Sequence, residues 1–174
     1  YAPYLAVCLK SLAVHVACDE RYRIIVMCDN VKNITMIQLR NVIKDYENID
    51  IEFVDIRKKM YEYSESFGQT VTDRQENRLY SGEFTLTIYF RLFIAELFPE
   101  LNKAVYIDSD TVINDDIAKL YSVDMGDAMF GAVRDTFAGK NTILAHYIEN
   151  VVGIERDEYV NSGVLLMNLD KIRQ

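Results

Sequence analysis

The chain has 174 residues, which is enough for one domain with a full hydrophobic core. Half of it is hydrophobic and 26% is charged, a balance typical of globular proteins and not of disordered or fibrous ones. The formal net charge of −8 argues against DNA or RNA as the main partner, because binding to nucleic-acid phosphates requires clustered Lys and Arg. A phosphorylated small molecule remains compatible with this charge, since a bound divalent cation reverses the local sign.

The cysteines and the chain ends bear on compartment and completeness. Cys8, Cys18 and Cys28 are odd in number and lack CxxC spacing, which favours buried thiols in a reducing compartment over disulfides or a zinc site. No apolar run approaches the ~20 residues that span a bilayer, and no signal peptide is recognisable. We therefore expect a cytoplasmic location, with attachment to the inner face of the membrane through other regions left open. The sequence begins and ends inside periodic stretches, so we expect residues 1–174 to be a single-domain fragment that lacks its first strand and its C-terminal part.

Helical and strand periodicities alternate along the first half of the chain. They predict a helix over residues 2–16, a strand at 23–28, a helix over 33–46 and a strand at 49–56. This alternation indicates an α/β domain with a mostly parallel sheet. Residues 57–83 are polar and aromatic with little periodicity, which predicts a long loop or lid.

The second half continues the same alternation. The predicted elements are a helix over 85–98, a strand at 103–107, a short strand or bend at 111–114, a short helix over 115–121, a strand at 128–133, a helix over 142–152 and a last strand at 161–169. A further helix is expected to begin at the end of the chain.

The most informative stretch is AVYIDSDTVI, in which an apolar strand ends in two aspartates. Residues i and i+2 of an extended segment point to the same side, so Asp108 and Asp110 are expected to reach one object together. Ligands of open α/β sheets gather at the carboxyl ends of the strands, where this pair lies. Two such carboxylates repel each other unless a cation lies between them or one is protonated. The pair therefore favours Mn²⁺ or Mg²⁺ bridging to a diphosphate, although a bare Asp-x-Asp also occurs in ordinary turns.

The surrounding sequence resembles glycosyltransferase family 8, the retaining GT-A enzymes that include lipopolysaccharide galactosyltransferases and glycogenin. AVYIDSDTVINDDIAKLYSVDMGDAMFGAVRD, at residues 104–135, is similar to the core of that family. Three further blocks resemble the family in the same order: YAPYLAVCLKSL at 1–12, a Tyr-x-Arg-Leu helix with Tyr89, Arg91 and Leu92, and YVNSGVLLMNLDKIR at 159–173. The resemblance implies a Rossmann-like three-layer α/β/α fold for nucleotide-diphospho-sugar transfer, incomplete in this segment.

The resemblance also implies a donor site. Asp108 and Asp110 match the family's metal ligands, and Ser109 lies between them in the same nucleotide-sugar motif. Arg91 matches an Arg that contacts the donor phosphate or sugar, and Tyr1 matches an aromatic residue at the uracil. A third metal ligand, a His in the family, is expected outside this chain.

Two further residues match the family's catalytic region. Asp135 corresponds to a carboxylate that binds sugar hydroxyls, and Asn161 to an Asn beside the transferred sugar. The implied reaction is transfer of galactose or glucose from a UDP-sugar to an acceptor hydroxyl, with retention and with a metal ion. The acceptor is expected to be a glycan or a glycolipid, as in lipopolysaccharide biosynthesis. The isolated segment is expected to bind metal and nucleotide weakly.

Two alternatives stay open from the sequence. The stretch IDSDTVI also fits the Asp-x-Asp-x-(Thr/Val) motif of haloacid-dehalogenase-type phosphatases, although that motif normally lies on the first strand. The second alternative is a non-catalytic domain that binds a nucleotide sugar without turnover.

Overall fold

The computed structural model describes residues 1–59 and 86–174. The loop predicted at 57–83 therefore lies outside the described residues, except for 57–59, which are helical. Four elements precede this helical segment: α1 (Ala2–Ala13), β1 (Tyr22–Cys28), α2 (Asn33–Val42) and β2 (Ile49–Asp55). They confirm the predicted order, with each helix ending three or four residues earlier than its periodicity indicates.

The second part begins with a 3₁₀ helix where an α-helix was predicted. Its elements are a 3₁₀ helix (Leu86–Phe93), α3 (Ile94–Leu97), β3 (Lys103–Ile107), α4 (Ile117–Tyr121), β4 (Phe130–Arg134), a 3₁₀ helix (Ala138–Lys140), α5 (Thr142–Tyr147), a π-helix (Ile148–Val152), a 3₁₀ helix (Arg156–Glu158), β5 (Val160–Asn168) and α6 (Leu169–Ile172). Residues 111–114 form no strand. The backbone N–H of Ile113 instead donates to Ser11 Oγ at 2.9 Å, which joins this segment to α1.

The strands form one parallel and one antiparallel set. β1 and β2 pair in parallel, from Tyr22 opposite Ile49 to Cys28 opposite Asp55. β5 lies between β3 and β4 and is antiparallel to both. The predicted parallel pairing is thus confirmed for β1 and β2, whereas β3, β4 and β5 pair in antiparallel. The alternation of apolar and polar residues indicates which face of a strand is buried, but it does not determine the direction of the neighbouring strand. The antiparallel pairing of the last three strands could therefore not be predicted from it.

Helices cover both faces of the strands, because alternate residues point to opposite sides. On β1, Tyr22 and Ile24 contribute to a cluster with α1 and α2, while Ile25 and Met27 pack against the opposite cluster. That opposite cluster contains Phe90 and buried residues of α3, β5 and α6. The result is a three-layer α/β/α arrangement, as predicted.

The cysteines only partly follow the prediction. Cys8 and Cys28 are buried, but Cys18 is exposed, because it lies in the turn between α1 and β1. Across residues 1–59 and 86–174, no helix is long and apolar enough to cross a membrane.

Candidate nucleotide-sugar site

Asp108 and Asp110 lie just beyond the end of β3, in a tight turn. The backbone N–H of Asp108 donates to Gly163 O at 2.7 Å, and the N–H of Thr111 donates back to Asp108 O at 3.2 Å. The Asp108 side chain is one-third exposed, and Asp110 is exposed. The strand thus ends by presenting two carboxylates to solvent.

Arg91 joins this end of β3 to β5. Its Nη2 donates to Asp108 Oδ1 at 3.0 Å, and its Nη1 donates to the carbonyl oxygen of Ser162 and, at 3.1 Å, to Ser162 Oγ. Only 13% of the Arg91 side chain is exposed, so this ion pair is shielded far more than a surface pair. Arg91 lies in the 3₁₀ helix before α3.

Tyr106 contacts both members of the ion pair. Its hydroxyl donates to Asp108 Oδ1 at 2.6 Å, and its ring lies 4.7 Å from the Arg91 guanidinium carbon, a cation–π distance. Burial raises the pKa of Tyr106 above its ordinary value, with further contributions from the Asp108 hydrogen bond and from the charges of Asp108 and Asp110. The hydroxyl therefore stays protonated at neutral pH, and both carboxylates act on the same group.

The segment from Asn161 to Gly163 forms the opposite wall. Asn161 Oδ1 accepts from the backbone N–H of Gly163 at 2.8 Å. A Cβ atom added at Gly163 would lie 2.9 Å from Asp108 Oδ2 and 3.0 Å from Asn161 Oδ1. A side chain at this position would need the carboxylate to move, so glycine permits the close approach of β5 to Asp108.

Asp135 follows β4 and is fixed by backbone donors. Its Oδ1 accepts from the N–H groups of Phe137 and Ala138, both at 2.9 Å, and its Oδ2 lies 3.5 Å from Asn161 Nδ2. The hydrogen bond from Ala138, followed by those from Phe137 and Asn161, lowers the pKa of Asp135, so it is ionised at neutral pH. Asp135 also lines a cleft of about 380 Å³ together with Arg134, Thr136, Lys140, Arg156 and Asp157.

Tyr1 and Ser109 are less tied to the other residues. Tyr1 is 84% exposed, and its ring lies 6.4 Å from that of Tyr4. Within the described part of the chain no contact connects Tyr1 to the Asp pair. Ser109 is half-buried in the turn between the two aspartates.

The donor atoms of the pair suit a hard divalent cation. Arg91 and Tyr106 occupy Oδ1 of Asp108, while neither Oδ2 nor the carboxylate of Asp110 accepts a hydrogen bond from any residue of 1–59 or 86–174. Those residues contain no group of three possible ligands. Two carboxylates still fit Mg²⁺ or Mn²⁺, because such ions usually retain waters and bind substrate phosphates.

The family model of glycosyl transferase family 8 matches residues 1–174. The chain belongs to glycosyltransferase family 8. Membership of this family confirms the resemblance carried by the four sequence blocks and decides against the phosphatase alternative.

The curated relatives of this family 8 chain are longer proteins. A Haemophilus influenzae protein named as a glycosyltransferase is 28% identical over 174 residues, which cover 100% of this chain and 47% of that protein. General stress protein A of Bacillus subtilis is 24% identical over 176 residues, covering 100% of this chain and 54% of that protein. The chain therefore spans about half the length of these relatives.

Solved structures confirm the predicted GT-A fold class. The galactosyltransferase LgtC, in complex with donor and acceptor sugar analogs, has a TM-score of 0.69 at 26% identity and covers 99% of this chain and 56% of its own. The apo bifunctional glycosyltransferase WbbM has a TM-score of 0.79 at 24% identity, with 99% of this chain and 30% of its own covered.

The structure brings most of the candidate residues into two linked groups. Arg91, Asp108 and Ser162 form one group, and Asp135 and Asn161 form the other; Gly163 connects them through its contacts with Asn161 and Asp108. Sequence reasoning missed Tyr106. The signal was present, because the i, i+2 rule that pairs Asp108 with Asp110 also places Tyr106 on the side of Asp108.

Proposed function

We propose that the protein containing this chain transfers galactose or glucose from a UDP-sugar to an acceptor hydroxyl, with retention of the anomeric configuration. Membership of family 8 supports glycosyl transfer, and the LgtC complex with donor and acceptor sugar analogs supports a sugar donor and a sugar acceptor. The observation that carries the proposal is the Arg91–Asp108 ion pair at the carboxyl end of β3, with Asp110 two residues further on and near enough for its charge to act on Tyr106. Carboxylates beside a fixed positive charge at this edge of the sheet suit an anionic diphosphate bound through a cation.

Asp108 and Asp110 would hold Mn²⁺ or Mg²⁺ through their open carboxylate oxygens. Bound to the donor diphosphate, the ion would act as a Lewis acid that stabilises negative charge on the departing UDP. Arg91 lies beside Asp108 with a fixed positive charge that favours the same anionic group. Ser109 would contribute from the turn between the two aspartates.

At the nucleoside end, Tyr1 would stack on the uracil. Its ring is exposed and available to a base, and stacking of a base on an aromatic ring contributes ~1–3 kcal/mol. At the sugar end, Asp135 and Asn161 would bind hydroxyls of the transferred hexose. Asp135 suits this role because two backbone N–H groups fix its Oδ1, while among residues 1–59 and 86–174 its Oδ2 has one long contact, to Asn161.

The acceptor is proposed to be a glycan or a glycolipid. The cysteines Cys8, Cys18 and Cys28 are all free thiols, which supports a reducing, cytoplasmic compartment. A glycolipid acceptor of lipopolysaccharide type would bring the enzyme to the inner face of the membrane. We further propose that residues 1–174 belong to a single catalytic domain.

The test is Mn²⁺-dependent binding of UDP to the full-length protein, measured by calorimetry. Asp110→Asn should weaken this binding by ~10–100-fold, because the substitution removes one of two anionic ligands. Asp45→Asn is a matched control, since Asp45 is exposed after α2 and forms no hydrogen bond or ion pair within the described residues. Unchanged binding in Asp110→Asn would contradict the metal assignment.

A second assay distinguishes a catalytic protein from a domain that binds a nucleotide sugar without turnover. The full-length protein is incubated with Mn²⁺ and either UDP-galactose or UDP-glucose, and release of UDP is followed. We expect release from one of the two donors. Tight UDP binding without release from either donor, in the presence of glycan and glycolipid acceptors, would favour the non-catalytic alternative.

A further inference from the structure

Asp108 is held by two donors that approach the same carboxylate oxygen. Arg91 Nη2 donates to Oδ1 at 3.0 Å, and the Tyr106 hydroxyl donates to Oδ1 at 2.6 Å. Oδ2 accepts no hydrogen bond from the described residues and lies against the backbone of Gly163. The carboxylate is therefore asymmetric, with one oxygen committed to the protein and one left open.

Tyr106 also fixes the second donor. Its ring lies under the Arg91 guanidinium at 4.7 Å, while Ser162 binds the other side of the same fork through its carbonyl oxygen and Oγ. Because the Tyr106 ring and Ser162 of β5 both contact the Arg91 guanidinium, we expect it to keep its position when a metal ion binds Asp108. One half-buried side chain thus orients both the carboxylate and the neighbouring positive charge.

We propose that Tyr106 is a positioning residue that directs Oδ2 of Asp108 toward the metal and keeps Arg91 beside the donor diphosphate. This inference rests on the proposed function, because it concerns the same cation site. The physical reason is that the partners of a ligating carboxylate restrict its rotation, and their removal typically costs 10–100-fold in metal affinity or activity. The two parts of Tyr106 act separately: its hydroxyl orients the Asp108 carboxylate, and its ring supports the Arg91 guanidinium.

The experiment compares three substitutions in the full-length protein by titrating Mn²⁺ in the presence of UDP. Tyr106→Phe removes only the hydroxyl, and about a tenfold loss of Mn²⁺ affinity is expected. Tyr106→Leu also removes the ring, and UDP affinity should then fall even at saturating Mn²⁺. Tyr121→Phe is the matched control and should bind as the wild type does, because Tyr121 is exposed on α4 and its ring contacts Lys103 instead of the Asp pair.

A further readout separates positioning from general damage to the fold. Raising the Mn²⁺ concentration should restore UDP binding by Tyr106→Phe to the wild-type level, whereas a misfolded fraction would persist at any Mn²⁺ concentration. The metal-free melting temperature of Tyr106→Phe should stay close to that of the wild type, since Arg91 still pairs with Asp108.

The possible failures are distinguishable. Wild-type protein that binds no UDP with Mn²⁺ would contradict the proposed function and this inference together. Wild-type protein that binds, with Asp110→Asn impaired and Tyr106→Phe unchanged, would contradict the inference alone. A loss in Tyr106→Phe that excess Mn²⁺ does not restore would also overturn it, because the hydroxyl would then act on something other than the metal ligand.

Discussion

At the scale of single residues, Gly163 leaves no room for a methyl group beside Asp108. In Gly163→Ala the new Cβ would lie 2.9 Å from Asp108 Oδ2, so the carboxylate must rotate away from its open position. Arg91 and Tyr106 resist that rotation, because both hold Oδ1. We expect ~1–3 kcal/mol of destabilisation from this overpacking. If Asp108 ligates the metal as proposed, Mn²⁺-dependent UDP binding should also weaken by about tenfold in calorimetry, because the substitution displaces its carboxylate.

Gly131→Ala provides the control for this substitution. Gly131 lies on β4 in the same sheet, and a Cβ there would meet Leu166 Cβ at 3.5 Å, an ordinary van der Waals contact. This variant should retain wild-type UDP binding. Equal binding by the Gly163→Ala and Gly131→Ala variants would show that the approach of β5 does not fix Asp108.

The residues of the site were predictable to different degrees. Strand spacing predicts Asp108 and Asp110 as candidate site residues, the family resemblance adds Arg91, and the structure places Asp108 and Arg91 in contact. Tyr106 was missed, because a tyrosine within an apolar strand has the composition of a core residue. The choice between Oδ1 and Oδ2 of Asp108 was beyond sequence reasoning, since it depends on donors that come from residues far apart in the chain.

At the scale of elements, Asp116 attaches α4 to β1. Its Oδ1 caps the helix by accepting from Ala118 N at 2.9 Å, and it also accepts from the Tyr22 hydroxyl at 2.8 Å. Asp116→Ala should lower the free energy of unfolding by ~1–3 kcal/mol, because it removes both a cap and a charge-assisted hydrogen bond. Asp116→Asn should recover most of this loss. Denaturant titration measures all of these values.

The control for Asp116 is Asp127, an aspartate in an exposed ion pair. Asp127 is 96% exposed and pairs with Lys171. Asp127→Ala should change the free energy of unfolding by less than about 1 kcal/mol, as is usual for exposed ion pairs. If Asp116→Ala and Asp127→Ala cost the same, the attachment of α4 to β1 would contribute nothing measurable.

Element types were predicted better than their ends and pairing. The strand at Lys103–Ile107 has the predicted bounds, since a β-branched and aromatic run between polar residues defines it. The helix predicted for residues 85–98 is a 3₁₀ helix up to Phe93 and α-helical only afterwards, a distinction that apolar spacing does not resolve. The antiparallel direction of β5 follows from tertiary connection rather than from local pattern.

At the scale of the whole molecule, the site lies where separate parts of the fold meet. β3 ends at the Asp pair, the following segment bonds to α1 through Ser11, and β5 approaches from the other side with Gly163. The 3₁₀ helix before α3 supplies Arg91 from a third direction. The sequence assigns each family-like block to a helix or strand. The side chains of the site come together only because four separated segments pack against one another. For this reason the four sequence blocks were enough to predict the fold, but not the side-chain contacts within the site.

Two buried thiols and two buried or half-buried tyrosine hydroxyls should make the folded protein less stable at alkaline pH. Burial raises the pKa of the Cys8 and Cys28 thiols above their ordinary value of 9.0, and burial likewise raises the pKa values of Tyr22 and Tyr106. Above pH 9 the unfolded chain loses these protons before the folded one does. The stabilisation is therefore complete below the unfolded pKa and is lost as pH rises toward the folded pKa, by up to ~1.4 kcal/mol per pH unit for each group.

The thiol contribution is measurable as a slope. Denaturant titrations between pH 8.5 and 10 should show the free energy of unfolding of the wild type falling steeply with pH. A variant with Cys8→Ala and Cys28→Ala should be less stable at pH 7, because it contains two small cavities, but its free energy should fall less steeply above pH 8.5. Cys18→Ala is the matched control for the loss of an exposed thiol. Equal slopes for the double variant and the wild type would mean that the buried thiols ionise as readily in the folded protein as in the unfolded chain, and the alkaline sensitivity would then have to come from Tyr22, Tyr106 or groups elsewhere.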